Sequence, residues 1–235
     1  MEMDSHMFQC VGNECIKAIA KALDLPLYKR ELSGSAICKG FDYYSSDLDE
    51  VEDLFRLIQS LLSSDPEIKG VAVGAILSNY QRIRVEHVCA RLNMISLAFL
   101  WQRDQLELLD CMIASNLDAI IIKIASFGLS VNRDLGQHIS KAFSNLRKLA
   151  SSSVPLNACG EGGEYESITL DCPIFKKQIV LQPKHIKCVV SSSDPFAPVA
   201  HLQILHFDLL VSYVSCCCIC ILSIFCHNLA SIFSP

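Results

Sequence analysis

The chain has 235 residues, of which 51% are hydrophobic and 19% charged, and its formal net charge is −5. This composition is typical of a globular protein with an ample core, and it excludes a disordered chain. The acidic balance, without a basic stripe interleaved with aromatic residues, gives no electrostatic case for a direct nucleic-acid partner.

Helical periodicity recurs along the first two thirds of the chain. Apolar residues three to four apart predict helices at residues 9–23, 49–62, 80–92, 104–115 and 137–151. Compact apolar runs predict strands at 26–32, 71–77, 96–100 and 118–125, and residues 33–47, rich in Ser, Gly and Asp, are predicted as a loop. This alternation predicts an α/β fold built on an open, mostly parallel, Rossmann-like sheet.

The sequence changes character after residue 125. Short strands separated by Pro and Lys turns are predicted at 167–170, 178–181, 185–190 and 199–206. We therefore predict one α/β domain at residues 1–125 and a smaller α/β region at residues 126–206.

Residues 207–235 form an atypical apolar tail that is rich in cysteine. Residues 209–225 carry no charge, which is the short limit for a bilayer span of about 20 residues. Three explanations stay open: a translated intron or altered exon end, a core element of a larger fold, and a tail anchor. Cys217, Cys220 and His227 have the ligand types of a metal site but lack a second cysteine pair, so we predict neither a metal site nor a membrane partner.

The remaining cysteines indicate a reducing compartment. Eight of the thirteen are scattered from Cys10 to Cys188 without paired spacing, and residues 1–9 contain no apolar run of the kind a signal peptide needs. Scattered cysteines without such a signal are typical of reduced thiols. We therefore predict a cytoplasmic protein.

Polar residues follow the predicted strand at 71–77. Ser78 lies at its carboxyl end, where open α/β sheets bind ligands, and Asn79 can cap the next helix, whose N-terminus suits a phosphate or adenylate. Three side chains of that helix add polar and cationic reach: Gln81, Arg82 and Arg84. An ion pair of Arg82 with Glu86, and a surface position for Arg84, are the alternatives.

A second polar group, Trp101, Arg103 and Gln105, follows the predicted strand at 96–100. Trp101 either covers an adenine or closes the core. If both strands are parallel, this group and Ser78 meet at one edge of the sheet.

The densest group of chemical residues is the loop 159–167, Cys-Gly-Glu-Gly-Gly-Glu-Tyr-Glu-Ser. Its glycines allow close approach of a ligand, and its three crowded carboxylates require cationic or hydrogen-bonding partners. A solvated acidic turn, a Mg²⁺ site and a site for ammonium or a cationic substrate arm are the alternatives. A buried, inert thiol is a commoner state for Cys159 than a nucleophile.

Three motifs in order resemble the diphthine–ammonia ligase family, ATP-dependent amidases of the PP-loop (HUP-type) superfamily. They are residues 73–86, Val-Gly-Ala-Ile-Leu-Ser-Asn-Tyr-Gln-Arg-Ile-Arg-Val-Glu; residues 100–105, Leu-Trp-Gln-Arg-Asp-Gln; and residues 161–166, Glu-Gly-Gly-Glu-Tyr-Glu. The similarity runs from about Asp4 to about His206.

The resemblance implies an acyl-adenylate reaction. ATP would activate the carboxylate of diphthine on translation elongation factor two, Mg²⁺ would offset phosphate charge, and ammonium would supply the nitrogen of diphthamide. The trimethylammonium of diphthine suits carboxylates and a tyrosine ring. The residues implied are catalytic Glu161, Glu164, Tyr165 and Glu166; cofactor-binding Gly74, Ser78, Asn79, Gln81, Arg82, Arg84, Trp101 and Arg103; and substrate-binding Gly162, Gly163, Ser167 and Gln105.

The sequence departs from the family pattern in three ways. The Ser-Gly-Gly-Lys-Asp-Ser loop that holds ATP phosphates in the family has no counterpart, Asn79 stands where the family has Asp, and Ser167 stands where it has Thr. On this basis residues 1–125 are predicted as a truncated nucleotide-binding domain and residues 126–206 as the substrate-binding region. A non-catalytic substrate-binding module and a membrane-anchored variant are the alternative functions.

Overall fold

The computed structural model describes residues 5–9, 11–212 and 233–234. Over these residues the helices are α1 (Ile16–Leu23), α2 (Glu50–Ser64), α3 (Asn79–Arg91), α4 (Gln105–Ala114) and α5 (Ile139–Ala150). Each corresponds to a helix predicted from periodicity. The first begins later than predicted because residues 13–15 form a separate 3₁₀ turn.

The strands also follow the predicted order, with two additions. They are β1 (Arg30–Glu31), β2 (Gly70–Ala72), β3 (Ile95–Leu97), β4 (Asp118–Ala125), β5 (Tyr165–Asp171), β6 (Lys177–Val180), β7 (Ile186–Ser192), β8 (Val199–Ile204), β9 (Asp208–Val211) and β10 (Phe233–Ser234). The additions are β9 and β10, which lie in the region predicted as a tail. Residues 213–232, which include Cys217, Cys220 and His227, are outside the described residues. The three explanations of the tail therefore concern residues that the structure does not describe.

Strand pairing confirms a mixed α/β fold but corrects the extent of its parallel sheet. The pair β2–β3 is parallel, and Val73 N donates to Leu97 O at 3.0 Å beyond it. The strand β4, predicted to extend that sheet, instead pairs antiparallel with both β5 and β8 in the order β5-β4-β8-β7. A run buried on both faces indicates a central strand, but it does not fix the direction of its neighbours.

The chain groups into two compact units. Unit 1 comprises residues 1–13, 27–102 and 222–235, and unit 2 comprises residues 14–26 and 103–221. The domain boundary predicted at residue 125 stays a prediction, because grouping by packing does not test which segments fold alone.

Each unit has its own apolar core. In unit 1, α3 buries Val85, Val88 and Cys89 in a cluster with Val73 and Ala75, which places the end of β2 beside the start of α3. In unit 2, α5 packs on β4, whose residues 119–122 and 124 are buried. Among the described residues, no helix is both long and apolar enough to cross a membrane.

Candidate functional site

The first group of candidate residues surrounds the N-terminus of α3 in unit 1. Ser78 is the capping residue, and its Oγ accepts from Gln81 N at 3.3 Å. Asn79, which the sequence suggested as the cap, is the first residue of the helix and its Oδ1 accepts from Arg82 at 3.4 Å. Gly74 is buried just upstream. The helix therefore presents its positive dipole end directly after β2, as a phosphate or carboxylate site requires.

Arg82 links α3 to the turn that contains Trp101. Its Nη1 lies 2.9 Å from Oε1 of Glu86, so the ion pair considered as an alternative is present. A nucleotide contact by Arg82 stays a prediction. Its guanidinium also lies 4.7 Å from the centre of the Trp101 ring, a cation–π distance. Gln102 N donates to Ile76 O at 2.8 Å and so fixes the turn beside the end of β2. The structure thus brings Ser78, Arg82 and Trp101 together within one unit.

Arg84 is fully buried, so the surface position considered for it is wrong. Its guanidinium donates to the carbonyl oxygens of Tyr80, Gly40 and Cys38. It also lies 3.4 Å from the centre of the Tyr80 ring. Tyr80, Arg84 and Val88 are four residues apart on the inward face of α3, which explains the burial. Arg84 therefore holds the segment 38–40 against α3, and a nucleotide contact by Arg84 stays a prediction.

The second group is the loop 157–167 in unit 2, which precedes and enters β5. The Glu164 carboxylate folds back into the loop, where Oε1 accepts from Asn157 N and Nδ2 at 2.9 and 2.7 Å and Oε2 accepts from Gly162 N at 2.8 Å. Gly160 and Gly163 have φ of +75° and +81°, which only glycine adopts without strain. Glu164 and these glycines set the shape of the loop.

Tyr165 and Cys159 are buried side chains of this loop. The Tyr165 hydroxyl donates to Ala158 O at 2.7 Å, and complete burial raises the pKa of Tyr165 well above its ordinary value. Burial also raises the pKa of the Cys159 thiol to about 12, with the charge of Glu161 adding to the rise. Neither side chain ionises near neutral pH, which agrees with the inert thiol expected for Cys159.

Gln105, at the start of α4, fastens the loop to the helix. Its Oε1 accepts from Cys159 N at 3.0 Å, and its Nε2 donates to Asn157 Oδ1 at 2.9 Å. Arg103, just before the helix, lies 3.8 Å from the Cys111 sulfur through Nη2. The predicted meeting of Ser78 with Arg103 and Gln105 at one sheet edge stays a prediction.

Glu166 projects from β5 and pairs with a lysine of β4. Lys123 Nζ lies 2.8 Å from Glu166 Oε1, with the two side chains 21% and 18% exposed. Glu166 Oε2 is buried and has no hydrogen-bond partner among the described residues. The next residue, Ser167, lies opposite Ile121 of β4. Glu166 thus has a fixed oxygen and an unsatisfied one, the arrangement of a carboxylate that can accept a further donor.

The donor set does not form a protein-held metal site in the part of the chain that the structure describes. No group of three His, Cys, Asp or Glu side chains there could hold an ion. Both Glu164 oxygens accept from amides, and one Glu166 oxygen accepts from Lys123. In this structure the Glu164 carboxylate is thus engaged by amide donors, and one oxygen of Glu166 is engaged by a lysine.

Two residues that shape this group, Lys123 and Asn157, were not predicted as site residues from the sequence. Lys123 interrupts an apolar run of β4, and a lone charge inside a buried strand is a signal for a buried partner. Asn157 precedes the glycine-rich motif by several residues and gave no pattern of its own. The catalytic roles of Glu161, Glu164, Tyr165 and Glu166, and the substrate contacts of Gly162, Gly163, Ser167 and Gln105, stay predictions.

Comparison with known proteins gives a consistent result. A family model described as the N-terminal domain of diphthamide synthase matches residues 1–96, and one described as the C-terminal domain matches residues 104–192. A rat diphthine–ammonia ligase is 49% identical over 215 residues, covering 91% of this chain and 79% of the relative. The human protein of that name is 47% identical over 88% of this chain and 76% of its own length. A fission-yeast protein of that name is 48% identical over 79% of this chain but only 30% of its own length.

Proposed function

The chain belongs to the diphthamide synthase family, and on that premise we propose that it is a carbon–nitrogen ligase that converts diphthine on translation elongation factor two to diphthamide with ATP and ammonium. The observation that carries the proposal is the ordered match of both family domains over most of the chain. The arrangement of each candidate group gives independent support.

The group at the start of α3 suits a nucleotide. Backbone N–H groups at a capped helix N-terminus attract phosphate, and the Trp101 ring offers an apolar surface for a base beside the Arg82 guanidinium. Amide formation needs such a group because a carboxylate is a poor acceptor for ammonia. We propose that transfer of AMP to the diphthine carboxylate, with release of pyrophosphate, supplies the leaving group.

The loop 157–167 suits the cationic end of diphthine. Glu161 is half-buried in this loop, and its carboxylate can attract a quaternary ammonium, which has no N–H to donate, through charge alone. Negative charge held in a fixed geometry stabilises a trimethylammonium group that binds against it. Mg²⁺ would enter with ATP, because it keeps water and phosphate ligands in most nucleotide sites. A cytoplasmic location follows from elongation factor two as substrate.

The test is amidation by the purified chain of elongation factor two that carries diphthine. The modified peptide is followed by mass spectrometry, and the nucleotide products are separated by chromatography. We expect the carboxamide to form only when ATP and ammonium are both present, with AMP released. Release of ADP would contradict the acyl-adenylate intermediate but would still agree with ligase activity. Binding of the factor without any carboxamide would contradict the ligase and favour a substrate-binding module.

A matched pair of variants tests the role of the loop. Glu161→Gln removes a carboxylate that we assign to the substrate, and Glu107→Gln removes an exposed one from the first turn of α4. The first should raise the KM for the elongation factor while leaving the KM for ATP unchanged, and the second should change neither. Equal effects of both would contradict the assignment of Glu161.

A further inference from the structure

Four acidic side chains at the start of α2 are buried. Asp49, Glu50, Glu52 and Asp53 are 0%, 2%, 4% and 0% exposed. Burying a carboxylate is costly unless hydrogen bonds or a cation compensate. The partners of each of the four therefore show whether it is structural.

Three of the four are compensated. Asp49 accepts from the N–H groups of residues 37, 38 and 51. Asp53 accepts from the N–H groups of residues 33 and 34 and from Arg30. Glu52 accepts two hydrogen bonds from Arg91, at 2.6 and 2.9 Å, and a third from Tyr43. The Arg91 hydrogen bonds lower the pKa of Glu52, although burial opposes this. These three tie α2 to its neighbours.

Glu50 differs from the other three. Its Oε2 accepts from Ser5 Oγ at 2.7 Å, but its Oε1 is buried without a partner among the described residues. Burial raises the pKa of Glu50. The Ser5 hydrogen bond opposes this rise, and the negative charge of Asp49 adds to it. Glu50 is thus a buried carboxyl group with one unsatisfied oxygen and an increased affinity for a proton.

A second unsatisfied atom belongs to the first turn of α3. Tyr80 Oη is buried and has no hydrogen-bond partner of good geometry in the described part of the chain, although the Arg84 guanidinium is close enough to interact with it. Burial raises the pKa of Tyr80, the charge of Arg84 and its hydrogen bond oppose the rise, and the charges of Glu50 and Asp49 add to it. Tyr80 lies two residues after Ser78, the cap of α3.

Other groups border this place. The hydroxyl of Ser5 also accepts from Met7 N and Phe8 N, so its capacity is used. His6 is exposed, and its ring lies 5.7 Å from that of Tyr80. Both the charge of His6 and a hydrogen bond from its backbone N–H lower the pKa of Glu50. Asp49 from α2 and Arg84 from α3 complete the charged surroundings. The exposed His6 and half-buried Ser5 mark the side open to solvent.

We infer that Glu50 is the proton acceptor of the amide-forming step, and that Tyr80 Oη hydrogen-bonds the incoming nitrogen. The inference rests on the proposed function. A buried polar atom without a hydrogen-bond partner is costly, and a small polar ligand that both donates and accepts would offset that cost. Ammonia has that character and size.

The lone pair of ammonia attacks the acyl-adenylate carbonyl carbon, a C–N bond forms, and the C–O bond to AMP breaks with its electron pair leaving on the phosphate. The nitrogen, positively charged after attack, gives one proton to Glu50 Oε1. A desolvated carboxylate is a stronger base than an exposed one, so the same burial that raises its pKa favours this transfer.

The test compares Glu50→Gln with Glu52→Gln in the whole chain. Amide formation with ammonium measures the complete reaction, and ATP–pyrophosphate exchange in the presence of the protein substrate measures adenylation alone. We expect Glu50→Gln to reduce kcat for amide formation about 100-fold or more while exchange is unchanged. Hydroxylamine, whose adduct loses its proton more readily, should restore part of the rate. Tyr80→Phe should raise the KM for ammonium.

Stability separates this role from a structural one. Because the folded pKa of Glu50 is raised, its contribution to stability is lost as pH rises, so Glu50→Gln should melt at or above the parent at neutral pH. Glu52→Gln should melt lower and keep the kcat of the parent.

Two results would overturn the inference about Glu50 without contradicting the proposed function. One is a parental ammonium-dependent kcat in Glu50→Gln, and the other is an equal loss of exchange and amide formation. Absence of exchange in the unsubstituted chain would contradict the proposed function itself, and the inference with it.

Discussion

Replacing Lys123 with methionine tests the reasoning about the loop most directly. The change keeps an unbranched side chain in β4 but removes the ammonium that lies 2.8 Å from Glu166 Oε1. The Glu166 carboxylate would then be largely buried with neither oxygen paired. The expected result is a loss of stability larger than that of a surface pair.

The magnitude follows from the burial of the pair. Removing one partner of a fully buried ion pair costs about 3–5 kcal/mol, and an exposed pair is worth about 0–1 kcal/mol. With the two side chains 21% and 18% exposed, we expect a cost between these two ranges, about 2–3 kcal/mol. For a chain of this size that corresponds to a fall in Tm of about 5–10 °C.

The assay is thermal unfolding of a double-mutant cycle. Lys123→Met, Glu166→Gln and the double variant are compared with the parent, which isolates the pair from the other contacts of each side chain. Lys187→Met, which removes an exposed lysine from β7, controls for the change of residue type. We expect the double variant to be much more stable than the sum of the single changes predicts. Additivity within about 0.5 kcal/mol would refute a coupled pair.

Three further changes test other parts of the structure. Arg84→Met removes a fully buried donor from three carbonyl oxygens, and should lower the unfolding free energy in urea by about 3–5 kcal/mol, because each hydrogen bond from a charged donor contributes about 1.5–3 kcal/mol. Glu52→Gln should be less stable than the parent at neutral pH but equally stable in acid. The Arg91 hydrogen bonds lower the pKa of Glu52 in the folded chain. The stabilisation by ionised Glu52 is therefore present above the unfolded pKa of about 4.3 and disappears as pH falls through the lower folded pKa. Gly160→Ala should cost more than Gly163→Ala in thermal melts, because a Cβ at Gly160 would lie 2.6 Å from Tyr165 O whereas nothing lies within 4 Å at Gly163.

These three predictions have clear contrary outcomes. An Arg84→Met loss below about 1 kcal/mol would mean that the buried guanidinium contributes like a surface group. A Glu52→Gln deficit that persists at pH 2 would place its cause in packing. Equal costs at the two glycines would mean that backbone φ alone, and not the close approach of β5, restricts them.

The helices were predictable because they are encoded locally. The apolar stripe and the capping carboxylate of α2 lie within one segment, and Asp49 accepts from Val51 N as such a cap should. The start of α3 was predicted from the end of a buried run to within one residue, with Asn79 instead of Ser78 suggested as its cap. The strand β4 was predicted to the residue, because its bounds are set by a change from apolar to polar composition.

The pairing of β4 was not predictable by the same means. Its neighbours β5 and β8 lie some 40 and 80 residues further along the chain, and a sequence that is apolar on both faces suits parallel and antiparallel neighbours alike. The location of Arg84 failed for a related reason. The inward face of α3 is recognisable, but only the carbonyl oxygens of another segment make burial of a guanidinium tolerable, and those oxygens come from residues 38 and 40.

The carboxylates show where residue type stops being informative. Glu50 and Glu52 occupy the same turn of one helix, and Glu164 and Glu166 are two residues apart at the start of β5. Composition and spacing therefore do not distinguish the members of each pair. Their hydrogen-bond partners do distinguish them. Glu52 and Glu164 have both oxygens engaged by donors, and their removal should cost stability. Glu50 and Glu166 each keep one buried oxygen that no described donor reaches. A buried oxygen without a hydrogen-bond partner does not stabilise the fold. A ligand that donates a hydrogen bond to it would explain why a carboxylate occupies such a position. The number of unused oxygens, which depends on distant segments, therefore separates the carboxylates that hold the fold from those that we assign to chemistry.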